Sequence, residues 1–109
     1  MNIYAAPFAS VPSVIETIAI AKAHTKNKNC IFLIVGDFNI DIRANSSRGK
    51  AVIEYMDSEN RHEISHIHNS LTRPVIDHIW TNYPRLQCEV SLLDASWTDH
   101  EIVSALLHF

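Results

Sequence analysis

Three short segments of this chain set polar residues where phosphate chemistry would need them. Gly36-Asp37-Phe38-Asn39 directly follows the apolar run Cys30–Val35. Asp77 interrupts the β-forming run Val75–Trp80, and Thr98-Asp99-His100 stands just before the apolar run Ile102–Leu107. Hydrolysis of a phosphodiester asks a protein for carboxylates to hold a hard cation, a group to align a water, and a donor to steady the phosphate oxygens. Loops at strand ends suit these groups, because the scaffold fixes them and substrate can reach them. Asp37 can ligate a cation or orient a water, and Asn39 presents both a donor and an acceptor. Gly36 lets the backbone turn, and Phe38 points away to pack. Alternation along the strand places Asp77 with Ile79 on one face and Ile76, His78 and Trp80 on the other. A carboxylate inside such a run needs a donor or cation. His100 is the candidate, since a carboxylate on one ring nitrogen leaves the other to meet a phosphate oxygen. Each segment alone also fits a plainer pattern: a Gly/Asp/Asn turn, an acid on an exposed edge strand, or a capped turn.

The elements that must position these groups follow from the apolar periodicity. Asn2–Ala5 reads as a short strand ended by Pro7. Ser13–His24 reads as a helix, with Ser13 and Glu16 at capping-box spacing and Val14, Ile15, Ile18 and Ala21 on one face. Cys30–Val35 is unbroken apolar sequence and predicts a central strand buried on both faces. Asp37–Ser47 is loop-like. Ser47 to about Glu59 predicts a second helix on Val52, Ile53 and Met56, and Ile64–His68 a short strand. Val75–Trp80, Gln87–Leu93 and Ile102–Leu107 predict three further strands. Strand, helix, strand, helix and then successive strands make a mixed α/β arrangement that continues past the crossover units into antiparallel pairing.

Length and composition narrow the class. A chain of 109 residues fits one domain, and 47% hydrophobic with 19% charged residues is globular rather than disordered. A net charge of −3 argues against a module that binds nucleic acid by bulk electrostatics, yet suits an enzyme that holds its metal with carboxylates. Cys30 and Cys88 sit in apolar runs and read as small buried hydrophobes of a reducing compartment. No segment has the length of a membrane span, and the first ten residues lack the basic start of a signal peptide. The expectation is an intracellular protein, nuclear or cytoplasmic, with no membrane partner.

The three segments, in this order, resemble the endonuclease/exonuclease/phosphatase superfamily. Ile34-Val35-Gly36-Asp37-Phe38-Asn39-Ile40-Asp41 is similar to its Gly-Asp-Phe-Asn motif, with the Ile-Asp extension of retrotransposon endonucleases. Thr72-Arg73 with Ile76-Asp77-His78-Ile79-Trp80-Thr81-Asn82 resembles their Thr-Arg … Ile-Asp-x-Ile-x-Thr-Asn segment. Thr98-Asp99-His100-Glu101-Ile102-Val103 resembles the closing Ser-Asp-His-x-x-Val motif, and Ile3-Tyr4-Ala5-Ala6-Pro7 the Tyr-Arg-Pro-Pro strand more weakly. The resemblance runs through nearly the whole chain. It implies a Mg²⁺-dependent phosphodiesterase, with Mn²⁺ as a possible substitute, acting on DNA. Asp37 and Asp99 would lie at the metal and Asp37 would position the attacking water. Asn39 would align that water, His100 would contact the scissile phosphate with Asp77 orienting it, and the Tyr4 hydroxyl would approach the phosphate.

By the same resemblance, the fold is half of a four-layered α/β sandwich: one mixed β-sheet with helices on its outer face. Residues 1–109 would form a partial domain lacking the N-terminal half, which supplies an Asn and a Glu to the metal in relatives. Glu16 lies on a helix and is a poor substitute. An unpartnered sheet face would call for that half-domain or for self-association. The alternatives are a catalytically inactive remnant and an inositol-phosphate phosphatase of the same fold.

Rival motifs weigh less. His62-Glu63-Ile64-Ser65-His66 has zinc-protease spacing, but the polar Asp57–Glu63 stretch offers no amphipathic helix to carry it. His66 and His68 fit a half-exposed strand face. Asn45-Ser46-Ser47 is a glycosylation triplet only in a secreted chain. Arg43, Arg48, Lys50 and Arg73 read as solvated surface, and Trp80 and Trp97 as core or loop anchors.

Overall fold

The computed structural model describes residues 1–24, 30–43, 46–65, 75–93, 96–98, 100 and 102–109. Its elements are β1 (Asn2–Tyr4), α1 (Val11–Ala23), β2 (Leu33–Asp37), α2 (Ser47–Ser58), β3 (His62–Glu63), β4 (Asp77–Thr81), β5 (Cys88–Leu93) and β6 (Ile102–Leu107). A 3₁₀ turn, Arg85–Gln87, leads into β5.

Both helices begin on a serine cap. Ser10 lies in extended backbone and its Oγ accepts the Ser13 N–H at 3.2 Å, with Pro12 in the first turn. Helix α1 therefore starts before the expected Ser13, and Ser13 becomes the capped residue rather than the cap. Ser46 caps α2 in the same way, accepting from the Gly49 N–H at 3.1 Å.

The main sheet has the order β1-β2-β4-β3. Strands β1 and β2 run parallel, and the β2–β4 and β4–β3 pairs are antiparallel. A mixed sheet flanked by helices is as expected, but β5 and β6 do not extend it as the strand succession predicted; they pair with each other in a separate two-stranded sheet. Strand β2 is displaced from the expected Cys30–Val35. The Asn82 side chain accepts from the Phe32 N–H at 2.8 Å and donates to the Cys30 carbonyl at 3.0 Å, so ladder pairing starts at Leu33. At the other end the strand continues through Gly36, whose φ of +143° is open to glycine alone. A Cβ there would stand 1.8 Å from the Ile3 carbonyl oxygen of β1, so only glycine lets the two strands close up.

One face of this sheet is covered by α1 and α2, with Val14, Ile18, Ile34, Phe38, Met56 and Trp80 at its centre. The other is covered by the antiparallel β5–β6 hairpin, where Ile64, Ile79 and Val90 are buried beside Val35, Val103 and Ala105. Strand β2 is thus not buried on both faces: Ile34 faces the helices at 2% exposure, while Leu33 remains 36% exposed on the hairpin side. Cys30 and Cys88 are half-buried thiols rather than core residues. Trp80 is a core anchor as expected, whereas Trp97 is 80% exposed and lies outside the core. The hairpin also turns Leu93, Ile102 and Leu106 outward into solvent. Among the described residues, no helix is long and apolar enough to cross a membrane.

Candidate metal centre

The strand register builds the site. Tyr4, Asp37 and Asp77 are consecutive partners across β1, β2 and β4, so they form one row at the end of the sheet. Residues in one row share a face. For Asp37 and Asp77 that face is the hairpin side, where both line a cleft of about 350 Å³ with Val35, Ile79, Val103 and Ala105. The connection between β5 and β6 carries His100 over the end of the row. Its Nδ1 lies 2.7 Å from Asp77 Oδ2, and its Nε2 lies 3.7 Å from Asp37 Oδ2. One ligand atom from each of Asp37, Asp77 and His100 falls within 4.8 Å of the others, a spacing that one divalent ion can bridge. Both aspartates are half-buried and His100 is exposed, so the cluster is open to solvent.

The donor set suits a hard cation. Two carboxylates supply the oxygen ligands that Mg²⁺ prefers, and an open site leaves room for the waters it retains. Asp37 is also oriented from its own loop, for the Asn39 N–H donates to Asp37 Oδ1 at 2.9 Å and leaves Oδ2 turned toward His100. Asn39 holds a left-handed backbone at φ +50°, a conformation asparagine tolerates. Its side-chain amide donates to the Ala5 carbonyl, which ties the loop to the end of β1. Asn39 therefore reaches the site edge by its backbone and the β1 end by its side chain. Tyr4 stands at the open end of the row, 75% exposed. Asp99, expected at the metal, lies outside the described residues, as do Thr72 and Arg73.

Sequence reading missed the scaffold beneath this row. His78 is buried at 1% exposure on the helix side, stacked on Phe38 with ring centroids 4.4 Å apart. Trp80 Nε1–H donates to His78 Nδ1 at 3.2 Å. Indole is a donor only, so Nε2 carries the proton. It is shared between the Ile40 and Val75 carbonyls, each at 2.9 Å. Burial holds the His78 pKa below the ordinary histidine value, against the weaker upward pull of those carbonyls and of Glu63 and Asp77, which keeps the ring neutral. Asp41 works in parallel, its Oδ1 accepting the Arg43 N–H at 3.0 Å and the Val75 N–H at 2.9 Å. Together they pin the loop after Asp37 to the start of β4, and so hold Asp37 opposite Asp77. The available signal was a histidine at an inward strand position, a place that demands buried partners.

Glu63 belongs to the strand, not to a zinc-binding helix. It is 3% exposed, and its Oε1 accepts the Ile79 N–H at 3.0 Å and the Ser65 N–H at 2.9 Å. His62 shares strand β3, while His66 and His68 lie outside the described residues.

A mixed sheet under two helices, with two aspartates and a histidine converging at its end, has the make-up of a metal-dependent phosphoesterase site. Set against protein-family models, curated proteins and solved structures, the chain gives no match.

Proposed function

We propose that this chain is part of a Mg²⁺-dependent phosphodiesterase domain that cuts DNA, of the retrotransposon-endonuclease kind its motifs resemble. The observation that carries the reading is the position of His100 between Asp77 and Asp37 at the mouth of the cleft. A ring that donates Nδ1–H to Asp77 has its tautomer and direction set. Its Nε2 then faces the space beside Asp37, where a phosphate oxygen would lie. Asp37 orients the water that attacks phosphorus, and the Asn39 amide keeps the Asp37 carboxylate turned to that task. Asp37 and, by resemblance, Asp99 would hold the metal, which supplies positive charge to the phosphate and acidifies a bound water. Tyr4 closes the row from β1 and offers its hydroxyl to the phosphate.

In this reading residues 1–109 form half of a four-layered sandwich, working inside the cell on nuclear or cytoplasmic DNA. The outward Leu93, Ile102 and Leu106 support it, since an N-terminal half-domain laid against the hairpin would cover them. Self-association through the same face is the competing arrangement.

Nicking of supercoiled plasmid in Mg²⁺ tests the function. Cleavage by the chain should fall at least about 100-fold in D37A, and about 10- to 100-fold in D77N, whose amide misdirects the imidazole. Cleavage indifferent to Asp37 rejects the assignment. Absent cleavage with Mn²⁺ still bound at Asp37 identifies an inactive remnant, and turnover of a soluble inositol phosphate instead of DNA identifies the phosphatase alternative.

A further inference from the structure

Away from the metal centre, the helix side of the sheet holds a charge with no counter-ion among the described residues. Arg61, between α2 and β3, is only 3% exposed. Its Nε and Nη1 are buried without a hydrogen-bond partner. Its guanidinium lies 5.0 Å over the Phe32 ring, a contact that offsets part of the desolvation but accepts no N–H bond. An isolated buried cation is among the costliest groups a fold can carry, and removal of its anionic partner destabilises strongly. Glu59, the acid that caps α2 two residues before Arg61, is already engaged by Lys22. Arg61 and Lys22 both line a cavity of about 130 Å³ whose other walls include Ile18, Ala21, Phe32 and Ile34.

We propose that this cavity is a binding site for a small carboxylate anion with a short apolar tail. The carboxylate accepts from the Arg61 guanidinium, and the tail lies against Ile18, Phe32 and Ile34. At about 30 Å³ per water-sized group the space takes four to five such groups, the size of a short-chain acid and too small for a nucleotide. A guanidinium can meet a planar carboxylate with parallel N–H bonds, and the cost of desolvating a phosphate against apolar walls favours the carboxylate over it. The aliphatic and aromatic walls favour a ligand that is not polar all round.

The test is an NMR titration of the ¹⁵N-labelled full chain with sodium butyrate, against sodium chloride at equal ionic strength. The expected result is a saturable shift of the Arg61 Nε–H signal and of the Ile18, Phe32 and Ile34 amides. Sodium phosphate should shift them at least tenfold more weakly. R61M should raise the butyrate concentration at half-saturation at least tenfold, and R61K by a smaller factor. R61M replaces a buried lone charge with an apolar chain of similar length, a change that folds tolerate. The wild-type Nε–H signal decides the matter even where the variant fails to fold. Shifts that do not saturate, that persist in R61M, that are as strong with phosphate, or that gather at Asp37, Asp77 and His100 overturn the proposal. The metal centre plays no part in this reading, so its failure and this one are separable.

Discussion

The two faces of the main sheet are built to different standards. On the helix side α1 and α2 close over Ile18, Ile34, Phe38, Val52, Met56 and Trp80, all at 2% exposure or less. On the other side the buried apolar residues among those described are Ile64, Ile79 and Val90, and the rest of that contact is made by half-buried residues such as Val35, Val103 and Ala105. A two-stranded hairpin is marginal by itself and needs further strands or a helix for independent stability. The candidate metal centre sits on this weaker side. The helix side thus supplies rigidity, fixing Asp37 and Asp77 from below through His78 and Asp41, while the side that carries the cluster is left more open. His100 belongs to the hairpin and is the one member of the trio whose position depends on the weaker contact.

The largest expected effect is at Gly36, where both faces depend on the closure of β1 onto β2. G36A places a Cβ 1.8 Å from the Ile3 carbonyl oxygen at a φ of +143°. Strain and steric overlap together should cost at least about 3 kcal/mol, read as a lowered urea midpoint. The Tyr4–Asp37 pairing would go with it. A loss under about 1 kcal/mol would show that β1 contributes little to the sheet.

Truncations on the two faces test the contrast directly. I18A removes a side chain 1% exposed at the centre of the helix side and should cost about 2–5 kcal/mol. V90A, on the hairpin side at 8% exposure, should cost about 1–2 kcal/mol, because the hairpin can shift to fill the space. Equal losses in urea unfolding would erase the distinction. A two-step transition in V90A, with the hairpin signal lost first, would sharpen it.

Legibility from sequence divides along the same line. Helix boundaries near Ser47 and Glu59, the buried Phe38 and Trp80, and the opposed faces of Asp77 and His78 are local consequences of periodicity, and the structure repeats them. The meeting of Asp77 with His100 joins residues 23 apart, and the pairing rule for a strand carboxylate was enough to suggest it. The β2 boundary was hidden because a distant side chain, Asn82, takes up the backbone groups of Cys30 and Phe32. The surplus charge at Arg61 was equally hidden. Burial of an arginine depends on what packs over it, and its neighbours Asn60 and His62 carry no apolar pattern to announce it. The joint roles of His78 and Asp41 were invisible for a third reason. Each spends its hydrogen bonds on backbone groups, which any sequence possesses.

The smallest effect expected is a pH dependence, and it bears on the stronger face. Burial lowers the His78 pKa in the folded chain, whereas the unfolded chain keeps the ordinary value of 6.5. Above that pH neither state is protonated there and the residue contributes no slope. Below it the unfolded chain takes up a proton that folded His78 refuses, so stability falls with falling pH until the lowered folded pKa is reached. The half-exposed His62, lowered chiefly by burial and then by Arg85, adds a smaller effect of the same sign. One such proton changes stability by at most about 1.4 kcal/mol per pH unit. Urea unfolding at pH 5.5 and 7.5 should therefore show a less stable chain in acid. H78Q should be less stable than the parent at pH 7.5, yet lose less of its remaining stability on acidification. Protonation would also take Nδ1 away from Trp80 as an acceptor. Acid should therefore raise amide exchange around Trp80 and Ile40 before it affects Val90. Exchange that rises first in the hairpin would mean that the open face, not the buried histidine, sets the acid limit of the fold.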